Sequence, residues 1–103
     1  MLDLKKVLET IEQIQEKIKG LSLEQACRCL GGYSFDGEVF DYDYPIDQNY
    51  YLVGTIVNDN GKAVLDEKSF IEIWIAEFEN NRFQSQVLAM TRSEIEQQVE
   101  RLK

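Results

Sequence analysis

Apolar residues recur at alternating steps of three and four near the start of the chain: Leu4, Val7, Ile11, Ile14, Ile18 and Leu21. Lys5, Lys6, Glu9, Glu12, Gln13, Glu16 and Lys17 fill the gaps, so the segment predicts an amphipathic helix, ended by Gly20. The same stripe fits a short a/d heptad, so a homodimer seam through the Leu4–Ile18 helix is one use for it. A helix laid on its own sheet is the other. Ser22 followed by Gln25 reads as a capping box opening a second helix with Leu23, Ala26, Cys27 and Leu30 inward and Gly31-Gly32 as its stop. The two helices make a hairpin.

From Tyr33 the period changes to two. Tyr33, Phe35 and Val39 alternate with Ser34, Asp36 and Glu38, but Phe40, Tyr42 and Tyr44 then fall on the opposite parity, between Asp41 and Asp43. A one-residue slip turns every side chain to the other face, so this strand needs a bulge near Val39 or a turn at Asp36-Gly37. Pro45 ends the ladder and 46–49 form a loop. A β-branched and aromatic run over 50–57 predicts a second strand; Asn58-Asp59-Asn60-Gly61 signals the turn after it, with Lys62–Leu65 pairing back. Over 70–78, Ile71, Ile73 and Ile75 share one strand face, with Glu72, Trp74 and Ala76 on the other. Asn80-Asn81 would join this strand to a partner over 82–90. Thr91 with Glu94 opens a last helix, buried through Ile95, Val99 and Leu102.

Strands clustered between helices, rather than alternating with them, predict an α+β fold. It consists of an N-terminal helical hairpin, an antiparallel sheet of three to five strands, and a C-terminal helix on one sheet face. The 103 residues, 44% apolar, suit a single domain over 1–103. There is neither a membrane-length apolar run nor a signal-like start, so a cytoplasmic location is expected.

Charge sharpens the picture. The net charge is -8, and no basic residue occurs between Arg28 and Lys62, whereas Asp36, Glu38, Asp41, Asp43, Asp47 and Asp59 all do. Direct nucleic-acid binding is disfavoured, because it rests on lysine and arginine neutralising phosphates.

No catalytic residues, cofactor site or metal site are expected, and the chain reads as a non-enzyme. It has no histidine, so no Ser-His-Asp or Cys-His mechanism is available within one chain. Gly31-Gly32 lacks the strand-to-helix setting of a phosphate loop. The two cysteines, Cys27 and Cys29, fall short of a zinc ligand set and read as small core residues. In an EF-hand frame begun at Asn58, Lys62 and Ser69 fall where oxygen ligands are needed. Paired carboxylates remain as an acid/base option, but a domain this small rarely builds the deep cleft such chemistry uses.

The candidate site is partner-binding: Asp36, Glu38, Phe40, Asp41, Tyr42, Asp43, Tyr44, Asp47 and Tyr50. All five tyrosines lie between Tyr33 and Tyr51, in the stretch without basic residues. Tyrosine offers contact area at low entropy cost, and carboxylates steer a basic partner. Along a strand, Asp36 with Glu38, or Asp41 with Asp43, would stand about 6.5–7 Å apart, a row resembling successive phosphates. The expected function is therefore an acidic inhibitor or adaptor docking a basic protein surface, of immunity, antitoxin or anti-defence character and a nucleic-acid mimic in outline. No residue motif ties the chain to one family. The same alternation also describes a half-buried strand, rings inward and carboxylates merely solvated. The alternative functions are a homodimeric ligand or sensor domain, with Trp74, Phe70, Phe78, Phe83 and Tyr51 lining a pocket under the helices, and a subunit of a larger assembly.

Overall fold

The computed structural model describes residues 2–75 and 85–102. In order, it contains α1 (Leu4–Ile18), α2 (Leu23–Leu30), β1 (Val39–Pro45), β2 (Tyr50–Asp59), β3 (Lys62–Leu65), β4 (Ile71–Ile75), β5 (Gln86–Met90) and α3 (Arg92–Arg101). This is the expected α+β arrangement, three helices and a five-stranded antiparallel sheet among the described residues.

The helix ends follow from local chemistry. Asp3 caps α1 by accepting from the Lys5 N–H, and the capping boxes Ser22–Gln25 and Thr91–Glu94 open α2 and α3. Gly31 closes α2 in the left-handed conformation, its N–H donating to the Cys27 carbonyl. Val7, Ile11, Ile14 and Ile18 of the α1 stripe are at most 2% exposed. They are core residues of the single chain, the second of the two uses expected of the stripe, and self-association through it would require lifting α1 off its own sheet.

In the sheet the order is β1-β2-β4-β5, with β3 also paired to β2. The long β2 carries β1 along one edge and shares the other, with β4 against Tyr50–Val53 and β3 against Ile56–Asp59. Asn60 and Gly61, both at positive φ, make the two-residue turn into β3 that suits the twist of a hairpin. The strand proposed to start at Tyr33 is shorter than expected. Tyr33 forms one isolated bridge with Asp41, the chain turns at Asp36-Gly37, and β1 begins at Val39. The turn, not a bulge, absorbs the parity slip. The Asn80-Asn81 hairpin and the positions of Ala76, Phe78, Arg82 and Phe83 lie outside the described residues.

Register fixes which face each strand residue takes. Phe40 and Tyr42 of β1, Leu52 and Ile56 of β2, and Ile73 of β4 are essentially fully buried under the helices. α3 packs beside α1 and adds Ile95 and Val99 to this core; Leu102, expected inward, is 62% exposed because it caps the helix end. The shortest dimension of the molecule, 19 Å, has room for one helical layer on one sheet. No described helix covers the opposite face. No helix is long and apolar enough to cross a membrane among the described residues.

Candidate partner-binding face

The uncovered face is built from the odd positions of β1 and β2 and the even positions of β4. In the antiparallel register Asp43 lies opposite Val53, and Val53 opposite Glu72. The neighbouring row is Pro45, Tyr51 and Trp74, and the next row on the other side starts with Asp41 opposite Thr55. All of these residues retain solvent contact. The strands that form the face, β1, β2, β4 and β5, contain no lysine or arginine.

Each carboxylate on the face is oriented by a neutral donor. The Tyr33 hydroxyl donates to Asp43 Oδ1 at 2.8 Å, and the Thr55 hydroxyl donates to Asp41 Oδ1 at 3.0 Å. Trp74 Nε1 donates to Glu72 Oε2 at 3.4 Å. Elsewhere on the protein acids find cations: Asp47 with Lys6, Glu24 with Arg28, and Glu67 and Glu96 with Arg92. Among the described residues Asp41, Asp43 and Glu72 have no such partner.

The clustering of negative charge is felt by the phenols. Partial burial, then the hydrogen bond to Asp43 and the charges of Asp43 and Asp41, push the Tyr33 hydroxyl up to about 12. Burial raises Tyr51 as well, helped by Asp43 and Glu72, which places both carboxylates within electrostatic reach of one ring.

The nine residues expected to meet a partner therefore divide. Asp41 and Asp43 stand on the open face, in one row along β1. Phe40 and Tyr42 do not: at 0% and 1% exposure they belong to the core, because the slip before Val39 turns their parity toward the helices. Tyr44 and Tyr50 pack against the helix-side core, and Lys17 Nζ lies 5.5 Å from the Tyr44 ring centroid. Asp36, Glu38 and Asp47 are in turns. Asp36 accepts from the Glu38 and Val39 N–H groups, which hold its carboxyl below the usual range, so the expected Asp36–Glu38 row does not form. Asp47 accepts from the Asn49 and Tyr50 N–H groups.

Tyr33, Tyr51, Val53, Glu72 and Trp74 complete the face. The sequence places Tyr51 and Trp74 in a pocket under the helices together with Phe70; the structure puts both on the opposite side and leaves Phe70 61% exposed. The other two residues of that pocket, Phe78 and Phe83, lie outside the described residues. The parity of Asp43 and Glu72 was the available signal. What joined them was the β1–β2–β4 register, a long-range property.

A small crevice opens where β3 and β4 part along β2, lined by Tyr42, Thr55, Asp66, Ser69, Phe70 and Arg92 among others. The Ser69 hydroxyl donates to Asp66, and Arg92 is held by Glu67 and Glu96. Among the described residues no three His, Cys, Asp or Glu residues are placed to hold a metal ion. No protein-family model matches the chain, and comparison with curated proteins and with solved structures gave no match to either.

Proposed function

We propose that the protein is a non-enzymatic interaction module whose open sheet face docks a basic protein surface, as an acidic inhibitor or adaptor would. The observation that carries this reading is the company the face keeps: Asp41, Asp43 and Glu72, without ion pairs among the described residues, lie beside Tyr33, Tyr51 and Trp74, and β1, β2, β4 and β5 contain no basic residue. Desolvated aromatic area supplies binding energy and unneutralised carboxylates supply steering. The alternation that also reads as an ordinary half-buried strand applies to Phe40 and Tyr42, whose rings fill the core. It leaves the aromatics of the other face unaccounted for.

The nucleic-acid-mimic reading narrows in turn. Two carboxylates of β1, Asp41 and Asp43, keep the strand spacing of about 6.5–7 Å. The face offers a short acidic patch between rings rather than an extended phosphate-like track, and a protein surface suits it better.

The test is affinity capture from the source cells at low and high salt. It uses the intact chain and an Asp43→Asn/Glu72→Gln/Tyr51→Leu variant. The reading expects a basic protein held by the intact chain at low salt, released at high salt and not captured by the variant. Equal capture by both chains would contradict it.

A further inference from the structure

At the centre of the open face two acids, Asp43 and Glu72, stand beside two aromatic residues, Tyr51 and Trp74. Asp43 and Glu72 flank Val53 on the two neighbouring strands, so their backbones stand two strand spacings apart, about 9–10 Å. Tyr51 and Trp74 lie side by side in the next row, directly opposite one another across the β2–β4 ladder. Among the described residues only one oxygen of each flanking carboxylate is engaged, Asp43 Oδ1 by Tyr33 and Glu72 Oε2 by Trp74. The second oxygen of each faces no described donor. An aromatic pair in the row beside two carboxylates, each with one oxygen left over among the described residues, matches a planar, forked cation that stacks and donates in several directions at once. An ammonium is a strongly hydrated point charge without that shape.

We infer that the partner inserts an arginine side chain here, its guanidinium stacked on the Trp74 and Tyr51 rings and donating to Asp43 on one side and Glu72 on the other. This rests on the docking reading above and specifies its anchor residue. Val53 between the two acids is apolar and leaves the middle of the seat without a competing donor. The donor bonds from Tyr33 and Trp74 hold the carboxylates in place before the guanidinium arrives, which lowers the ordering cost of binding.

Trp74 is the one tryptophan of the chain, so its indole N–H gives a single NMR signal at the proposed seat. The intact chain is titrated with N-acetyl-arginine amide, N-acetyl-lysine amide and N-acetyl-citrulline amide. The expected result is a saturable shift of the Trp74 indole signal with the arginine probe, at least about threefold tighter than with lysine and absent with citrulline. Asp43→Asn/Glu72→Gln, which strips the charge from both hydrogen bonds, should weaken the arginine probe at least about tenfold, with an unchanged urea midpoint showing that the fold is intact. Glu12→Gln, on the exposed side of α1, should leave the titration unchanged. Equal binding of arginine and lysine, or an arginine response that survives the double variant, overturns the arginine seat. No response to arginine, with partner capture still abolished by the face variant, overturns the seat and leaves the docking reading standing. Loss of both overturns both. Concentration-dependent dimerisation that shifts the Trp74 signal and is abolished by Asp43→Asn/Glu72→Gln would make a second copy of the chain the occupant, and also overturns the proposal.

Discussion

The Tyr42 ring lies over Gly54, directly across the β1–β2 ladder, so closely that a Cβ on residue 54 would stand 2.6 Å from the Tyr42 hydroxyl oxygen and 2.9 Å from Cζ. Glycine in mid-strand ordinarily weakens a sheet, but here it leaves the space that the largest fully buried side chain of the core occupies. Gly54→Ala should therefore destabilise the protein by about 1–3 kcal/mol, the usual cost of overpacking. Urea denaturation measures it. In a Tyr42→Leu background the Gly54→Ala penalty should shrink, and a penalty of the same size there would show that the ring is not what alanine meets.

Asp47 and Asp43 differ in what their carboxylates hold. Asp47 fixes the turn between β1 and β2 by accepting from two backbone N–H groups, while Asp43, among the described residues, accepts only the Tyr33 hydroxyl at the surface. Asp47→Ala should lower stability by about 1–2 kcal/mol, and Asp43→Asn by less than about 0.5 kcal/mol. Thermal melts of the two variants check the ordering. Charge changes meant to probe binding therefore belong at Asp41, Asp43 and Glu72; at Asp47 they would disturb the turn as well.

Much of the fold was legible because its signals are local. The stripe from Leu4 to Ile18, the Ser22–Gln25 and Thr91–Glu94 boxes and the Asn60-Gly61 turn each depend on residues within a few positions, and each forms as the pattern predicts. The parity slip at Val39 was also visible. The site was legible only in part, because a slip shows that two faces exchange without showing which one the helices cover. Phe40 and Tyr42 went inward and Asp41 and Asp43 outward once α1 and α2 chose their side. Glu72 and Trp74 joined Asp43 through the pairing of β2 with both β1 and β4, which no local pattern encodes.

Asp36 gives an acid-side test. Backbone N–H groups of Glu38 and Val39 lower its folded pKa below the ordinary 3.8, so the charged form stabilises the fold. That contribution is present above pH 3.8 and is lost as pH falls through the lowered folded value. The stability gap between the intact chain and Asp36→Asn should accordingly be constant near neutral pH and narrow on acidification below about pH 4. Urea midpoints across that range measure it; a gap that widened with acid would contradict the assignment.

Tyr33 gives the alkaline counterpart. Its folded pKa is raised from 10.0 to about 12, so the neutral phenol stabilises the fold below pH 10 and the contribution disappears as pH rises toward 12. In a tyrosine Cζ NMR titration Tyr33 should ionise well above an ordinary tyrosine. Asp43→Asn should bring it part of the way back, since burial, the largest cause, remains.

The central claim is that a basic partner is held by the open face, and association kinetics test it most directly. The captured partner is mixed with the intact chain, with Asp41→Asn/Asp43→Asn/Glu72→Gln, and with Glu9→Gln/Glu12→Gln/Glu16→Gln, which removes the same charge from the exposed side of α1. At low ionic strength the face variant should associate about tenfold more slowly than the intact chain, the helix variant should stay close to it, and added salt should erase the difference. Equal rates for the two variants at low salt would mean that net charge, and not this face, brings the partner in.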